Sequence, residues 1–120
     1  VCVRDFLRAM VDESDNIEGR RGCFVVNASL ECDESENAIM QTVRSCMDQG
    51  EDWLQTQLDR AVTMGELRAD TDTKHLAACL MGSVCGFRVM SRAQVNAEKI
   101  QEVASTMFDS LISPWQQVAA

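Results

Sequence analysis

Tyrosine is absent from this 120-residue sequence, proline and histidine each occur once, and no two cysteines have the C-x-x-C spacing. Each shortage excludes something. The single proline, Pro114, lies near the end, so nothing of its kind interrupts long helices upstream. With His75 as the only imidazole and no ligands clustered at short spacing, no zinc site, other metal centre or cofactor is expected. No apolar run approaches the length needed to span a membrane, and no signal-peptide pattern opens the chain, so no membrane partner is expected. Basic residues are outnumbered, 11 against 19 acidic, for a formal net charge of −8. Neutralising phosphates needs clustered Lys and Arg, so this balance argues against a nucleic-acid surface on the chain itself. The longest basic cluster, Arg20-Arg21 beside Glu18, reads as a solvated loop. Gly82-Ser83-Val84-Cys85-Gly86 matches neither the P-loop nor the dinucleotide fingerprint.

The remaining composition is that of an ordinary globular domain, 46 % apolar and 25 % charged. The length fits a single domain spanning residues 1–120. Of the six cysteines (Cys2, Cys23, Cys32, Cys46, Cys79 and Cys85), five fall in apolar helical patterns, where cysteine acts as a small hydrophobe. Reduced thiols, and hence a cytoplasmic setting, are expected rather than a secreted disulfide framework. The chain opens at Val1 inside a helical pattern, as expected of a piece of a longer protein.

The periodicity predicts an all-α bundle of about five helices. Val3, Phe6, Leu7 and Met10 recur at i, i+3, i+4 and i+7, which predicts a first amphipathic helix. Polar, glycine-containing residues 12–22 form a loop. Cys23 to Leu30 carries strand-favouring residues, but no other segment alternates to pair with it, so a short buried helix fits better. Acidic, cap-forming residues 33–36 start a long helix. Its apolar positions are Ile39, Val43, Cys46, Met47, Trp53, Leu54, Leu58, Ala61 and Val62, with Gly50 interrupting the sequence but not the period. Gly65 ends it. Asp72 caps the next helix, about Thr73 to Arg92, and Asn96 caps the last, to Ile112, before Pro114.

Enzymatic chemistry is not expected. Asp5, Asp12, Glu13 and the run from Glu31 to Glu36 are read as solvated or capping carboxylates at helix ends. His75 lacks a positioned partner in the sequence and reads as a boundary residue rather than a base. Ser29 and Ser83 have no base nearby in sequence. Among the thiols Cys23, at a helix start near Arg20 and Arg21, is the best redox candidate, although core packing is the favoured reading. The methionines on apolar faces read as core filling, with an adaptable pocket wall as the functional reading.

Three strings carry a family resemblance. Residues 21–31 show R-G-C-x-x-x-N-A-x-x-E, residues 65–72 show G-E-L-x-x-D-x-D, and Leu80 to Met90 places Gly82, Gly86 and Arg88 along one helix. In this order, on a helical background, they resemble the C-terminal domain of TetR-family transcription regulators, over roughly Gly22 to Ile112. The resemblance implies a ligand-responsive regulator, of which this chain is the effector-binding and dimerisation domain. It implies DNA contact only through a helix-turn-helix head, which nothing in this chain matches, so the chain itself is expected to have no specific affinity for duplex DNA. A helical protein–protein interaction module without effector is the alternative reading.

Two sites are expected. A largely apolar pocket for a small hydrophobic or aromatic effector is walled by Phe24, Asn27, Met47, Trp53, Leu54 and Phe87. A homodimer forms from the last two helices as a four-helix bundle, through Leu80, Gly82, Ser83, Gly86, Val103, Met107 and Leu111. The apolar stripe there is wider than one small core needs, and the glycines permit close helix approach.

Overall fold

The structure, a computed structural model, describes residues 37–117. The predicted first helix, the loop after it, the segment 23–30 and the acidic helix start at 33–36 lie outside the described residues. Among the described residues there are three α-helices, α1 (Asn37–Thr63), α2 (Thr73–Arg92) and α3 (Ala97–Ile112), followed by a short 3-10 helix, Ser113–Trp115. The expectation was about five α-helices; the other two fall on the segments not described. All three α-helices stand where the periodicity predicts them, and none is long and apolar enough to cross a membrane.

Local chemistry sets the helix ends. At the end of α1, Gly65 adopts the left-handed φ of 79°. Its N–H donates to the Val62 carbonyl at 3.0 Å, and the Glu66 N–H reaches back to the Ala61 carbonyl at 2.9 Å. That double bond is the Schellman closure, which satisfies carbonyls a helix end otherwise leaves orphaned. The Asp72 side chain caps α2 by accepting the His75 N–H at 3.1 Å. Asn96 caps α3 by accepting from Glu98 N at 2.8 Å and Lys99 N at 3.4 Å. The end of α2 repeats the Schellman pattern with a less suited residue. Gln94 takes the left-handed position at φ 61°, with bonds from Gln94 N to Ser91 O and from Val95 N to Met90 O, each 3.0 Å.

One hydrophobic core joins the three helices. From α1 it takes Leu54, Leu58 and Ala61, from α2 Leu76, Ala77, Leu80, Val84 and Phe87, and from α3 Ile100, Ala104, Phe108 and Ile112. Each set follows the three-to-four-residue spacing of one helix face. Phe87 and Phe108 meet edge to face, with ring centroids 5.5 Å apart and planes at 89°, and so tie α2 to α3. On α1 only part of the expected stripe turns inward: Ile39 and Trp53 remain 43 % and 46 % exposed.

The turn after α1 is stitched to the residues that follow α3. Leu67 and Gln116 form an antiparallel bridge, flanked by Arg68 N donating to Trp115 O at 2.7 Å and Gln117 N to Glu66 O at 3.2 Å. Leu67, at 1 % exposure, plugs the core beneath this bridge. A second tie, Thr73 Oγ1 to Asp59 Oδ1 at 2.6 Å, joins the ends of α1 and α2.

Candidate functional site

The helix faces decide which of the expected pocket residues come together. Leu54 on α1 and Phe87 on α2 both enter the core, each at 3 % exposure. Met47, two turns before Leu54, is half-buried. Trp53 points away from this group, since adjacent residues on a helix are about 100° apart. Phe24 and Asn27 lie outside the described residues, as does Cys23.

Sequence reasoning passed over one contact between α1 and α2. Gly50 faces Met81 so closely that no side chain fits between them without displacing the methionine. The available signal was the glycine itself: in a helix interior it costs about 1 kcal/mol relative to alanine, and a close approach explains its presence.

The residues expected at a dimer interface divide in two. Leu80 is fully buried within its own chain, at 0 % exposure, and has no surface left to give a second one. Gly82 and Gly86 behave in the opposite way. Among the described residues, a Cβ built on either meets no atom within 4 Å, so both face open space there. Val103 and Leu111 are partly buried at the margin of the core, and Met107 is 40 % exposed. Val89, which the sequence reading did not single out, is 42 % exposed on α2. Ser83 is half-buried, and its hydroxyl donates to the Cys79 carbonyl at 3.0 Å.

Two further observations bear on chemistry. Cys46, Cys79 and Cys85 are not held in disulfides. Among the described residues no three His, Cys, Asp or Glu side chains gather to hold a metal ion. His75, expected to lack a partner, has one: its Nε2 lies 3.7 Å from Cys79 Sγ, one turn along α2.

With this geometry in hand, the decisive comparison is with family models. The model described as "Tetracyclin repressor-like, C-terminal domain" matches residues 3–107. The chain belongs to this family. Solved structures of TetR-family regulators agree with the TetR-like fold. One is a cysteine variant of the TetR family transcriptional regulator CifR complexed with double-strand operator DNA, with a TM-score of 0.79 and 25 % identity, over 90 % of this chain and 56 % of that one. A second is the TetR-family regulator from Cytophaga hutchinsonii, with a TM-score of 0.84 and 19 % identity, over 99 % of this chain and 61 % of that one. A third, from Chloroflexus aurantiacus, has a TM-score of 0.76 and 22 % identity, over 98 % of this chain and 59 % of that one. The TetR-like chain thus spans between 56 % and 61 % of the length of these regulators. All three are described as transcriptional regulators. No curated protein matches the chain.

Proposed function

We propose that residues 1–120 form the effector-binding and dimerisation domain of a ligand-responsive transcription regulator. In this reading the chain pairs with a second copy through α2 and α3. It takes a small hydrophobic or aromatic effector beside α1 and α2. It reaches operator DNA only through a helix-turn-helix head outside this chain. The family match supports the division of labour, and the net charge of −8 fits a domain that does not itself touch DNA.

The observation that carries the pairing is the open space over Gly82 and Gly86. Each glycine costs about 1 kcal/mol of helix stability relative to alanine. Packing against the described residues does not explain them, because among those residues no atom comes within 4 Å of a Cβ placed on either one. Close approach of a second chain does, and a twofold pairing is the commonest way to supply it. Val89, Val103, Met107 and Leu111 add apolar surface on the same two helices. Leu80 drops out of the proposed interface because its own core consumes it.

The effector reading keeps Met47, Leu54 and Phe87 as wall residues, together with Phe24 and Asn27 from the sequence, while Trp53, which points away from them, drops out. Effector binding alters the pairing geometry only by as much as the effector prefers one arrangement over the other.

Light scattering on the chain is the test. A dimer at tens of micromolar is expected, and a monomer there overturns the pairing. Gly86→Arg should give a folded monomer, because the arginine has room in a single chain but not in a close helix contact. Thermal-shift screening with hydrophobic and aromatic compounds tests the effector separately. A dimer stabilised by none of them supports an interaction module instead.

A further inference from the structure

We propose that the effector carries a carboxylate and that Arg88 holds it, beside the face of α1 that bears Val43 and Met47. This deepens the effector reading, on which it rests, by naming the chemical class that is bound. The helix pair supplies the placement. α1 and α2 run antiparallel, because Thr73 meets Asp59 and Met81 meets Gly50. Seven residues beyond the second contact, in each helix, stand Val43 and Arg88. A seven-residue step returns a helix position to nearly the same face, so the flank of α2 that turns Met81 to α1 also carries Arg88. Val43, Met47, Gly50 and Leu54 likewise share one face of α1. The common core begins on α1 only at Leu54.

Arg88 differs from the other basic residues described. It is half-buried, whereas Arg44, Arg60, Arg68, Lys74, Arg92 and Lys99 are exposed. Among the described residues no carboxylate pairs with it; the ion pair on this chain's turn, Arg68 with Asp70, lies elsewhere. Its aliphatic stem covers apolar surface, and its fork of N–H donors is left to an outside acceptor. Gly82 and Gly86 face another way, since one residue along a helix turns about 100° and two about 200°. A second chain over those glycines therefore leaves the flank of Arg88 uncovered.

The planar guanidinium matches a carboxylate in two parallel hydrogen bonds. On a chain of net charge −8 an anion gains no general attraction, so a specific cation is what holds it. The Gly50–Met81 contact closes the other end, about 10 Å along the helix from Arg88. An alkyl or aryl body of that length lies against Val43 and the adaptable Met47.

Calorimetric titration of the full chain with hexanoate, octanoate and hydrocinnamate, each against the alcohol of the same skeleton, tests this at neutral pH, where the acids are ionised. At least one acid is expected to bind at least about tenfold tighter than its alcohol, the lower side of what a hydrogen bond to a charged group supplies. Arg88→Gln should abolish that preference while leaving the affinity for the alcohol and the thermal midpoint of the unliganded protein unchanged. Arg88→Lys keeps the charge without the fork and should retain only part of the preference. Equal binding of acid and alcohol overturns the proposal and leaves the effector reading standing. Binding of none of the compounds overturns the proposal and counts against the effector reading as well. A preference that both variants retain in full overturns the role of Arg88.

Discussion

A Cβ placed on Gly50 would sit 2.9 Å from Met81 Cε and 3.1 Å from its Sδ, so the two residues mark a close contact between α1 and α2. The obstructing atoms are the far end of a flexible side chain, which makes a small displacement cheap. Gly50→Ala should therefore change stability by less than about 1 kcal/mol, because the gain in helix propensity offsets the shift of Met81. Gly50→Leu should cost about 1–3 kcal/mol through overpacking. Adding Met81→Ala to Gly50→Leu should recover part of that loss, measured by urea unfolding as a double-mutant cycle.

The two Schellman ends make opposite predictions. Gly65 is the suited residue for φ 79°, and Gly65→Ala should destabilise by about 1–2 kcal/mol. Among the described residues no atom crowds that position, so the effect comes from the backbone. Gln94 holds a comparable φ of 61° with a side chain that disfavours it. Gln94→Gly should stabilise by about 1 kcal/mol, with a higher thermal midpoint as the readout.

Phe87 stands edge-on to Phe108 at 5.5 Å and is 3 % exposed. Phe87→Ala should cost about 3–5 kcal/mol, combining lost burial, a cavity and the ring pair. Calorimetry or urea unfolding reads this directly. The expectation also governs how effector binding is assayed, because loss of binding in Phe87→Ala would follow from loss of the core. Met47→Ala, at a half-buried position, is the informative variant for the pocket, and Trp53→Ala, at an exposed position pointing away from it, is the control.

Helix identity and limits were legible in the sequence because they follow from rules that act over a few residues. The three-to-four spacing of Leu76, Leu80, Val84 and Phe87 marks α2, and that of Ile100, Ala104 and Phe108 marks α3. Asp72 and Asn96 announce their caps, and Gly65 announces the end of α1. The sequence also carried the family, through strings whose order could be recognised without knowing how the helices pack. Rotation of each helix about its axis is a different matter. An apolar stripe wider than one contact leaves several rotations open, and only the neighbouring helices choose among them. That choice buries Leu80, leaves Trp53 outward and turns Gly82 and Gly86 to open space. It also sets Met81 against Gly50, two residues 31 positions apart that no local rule connects.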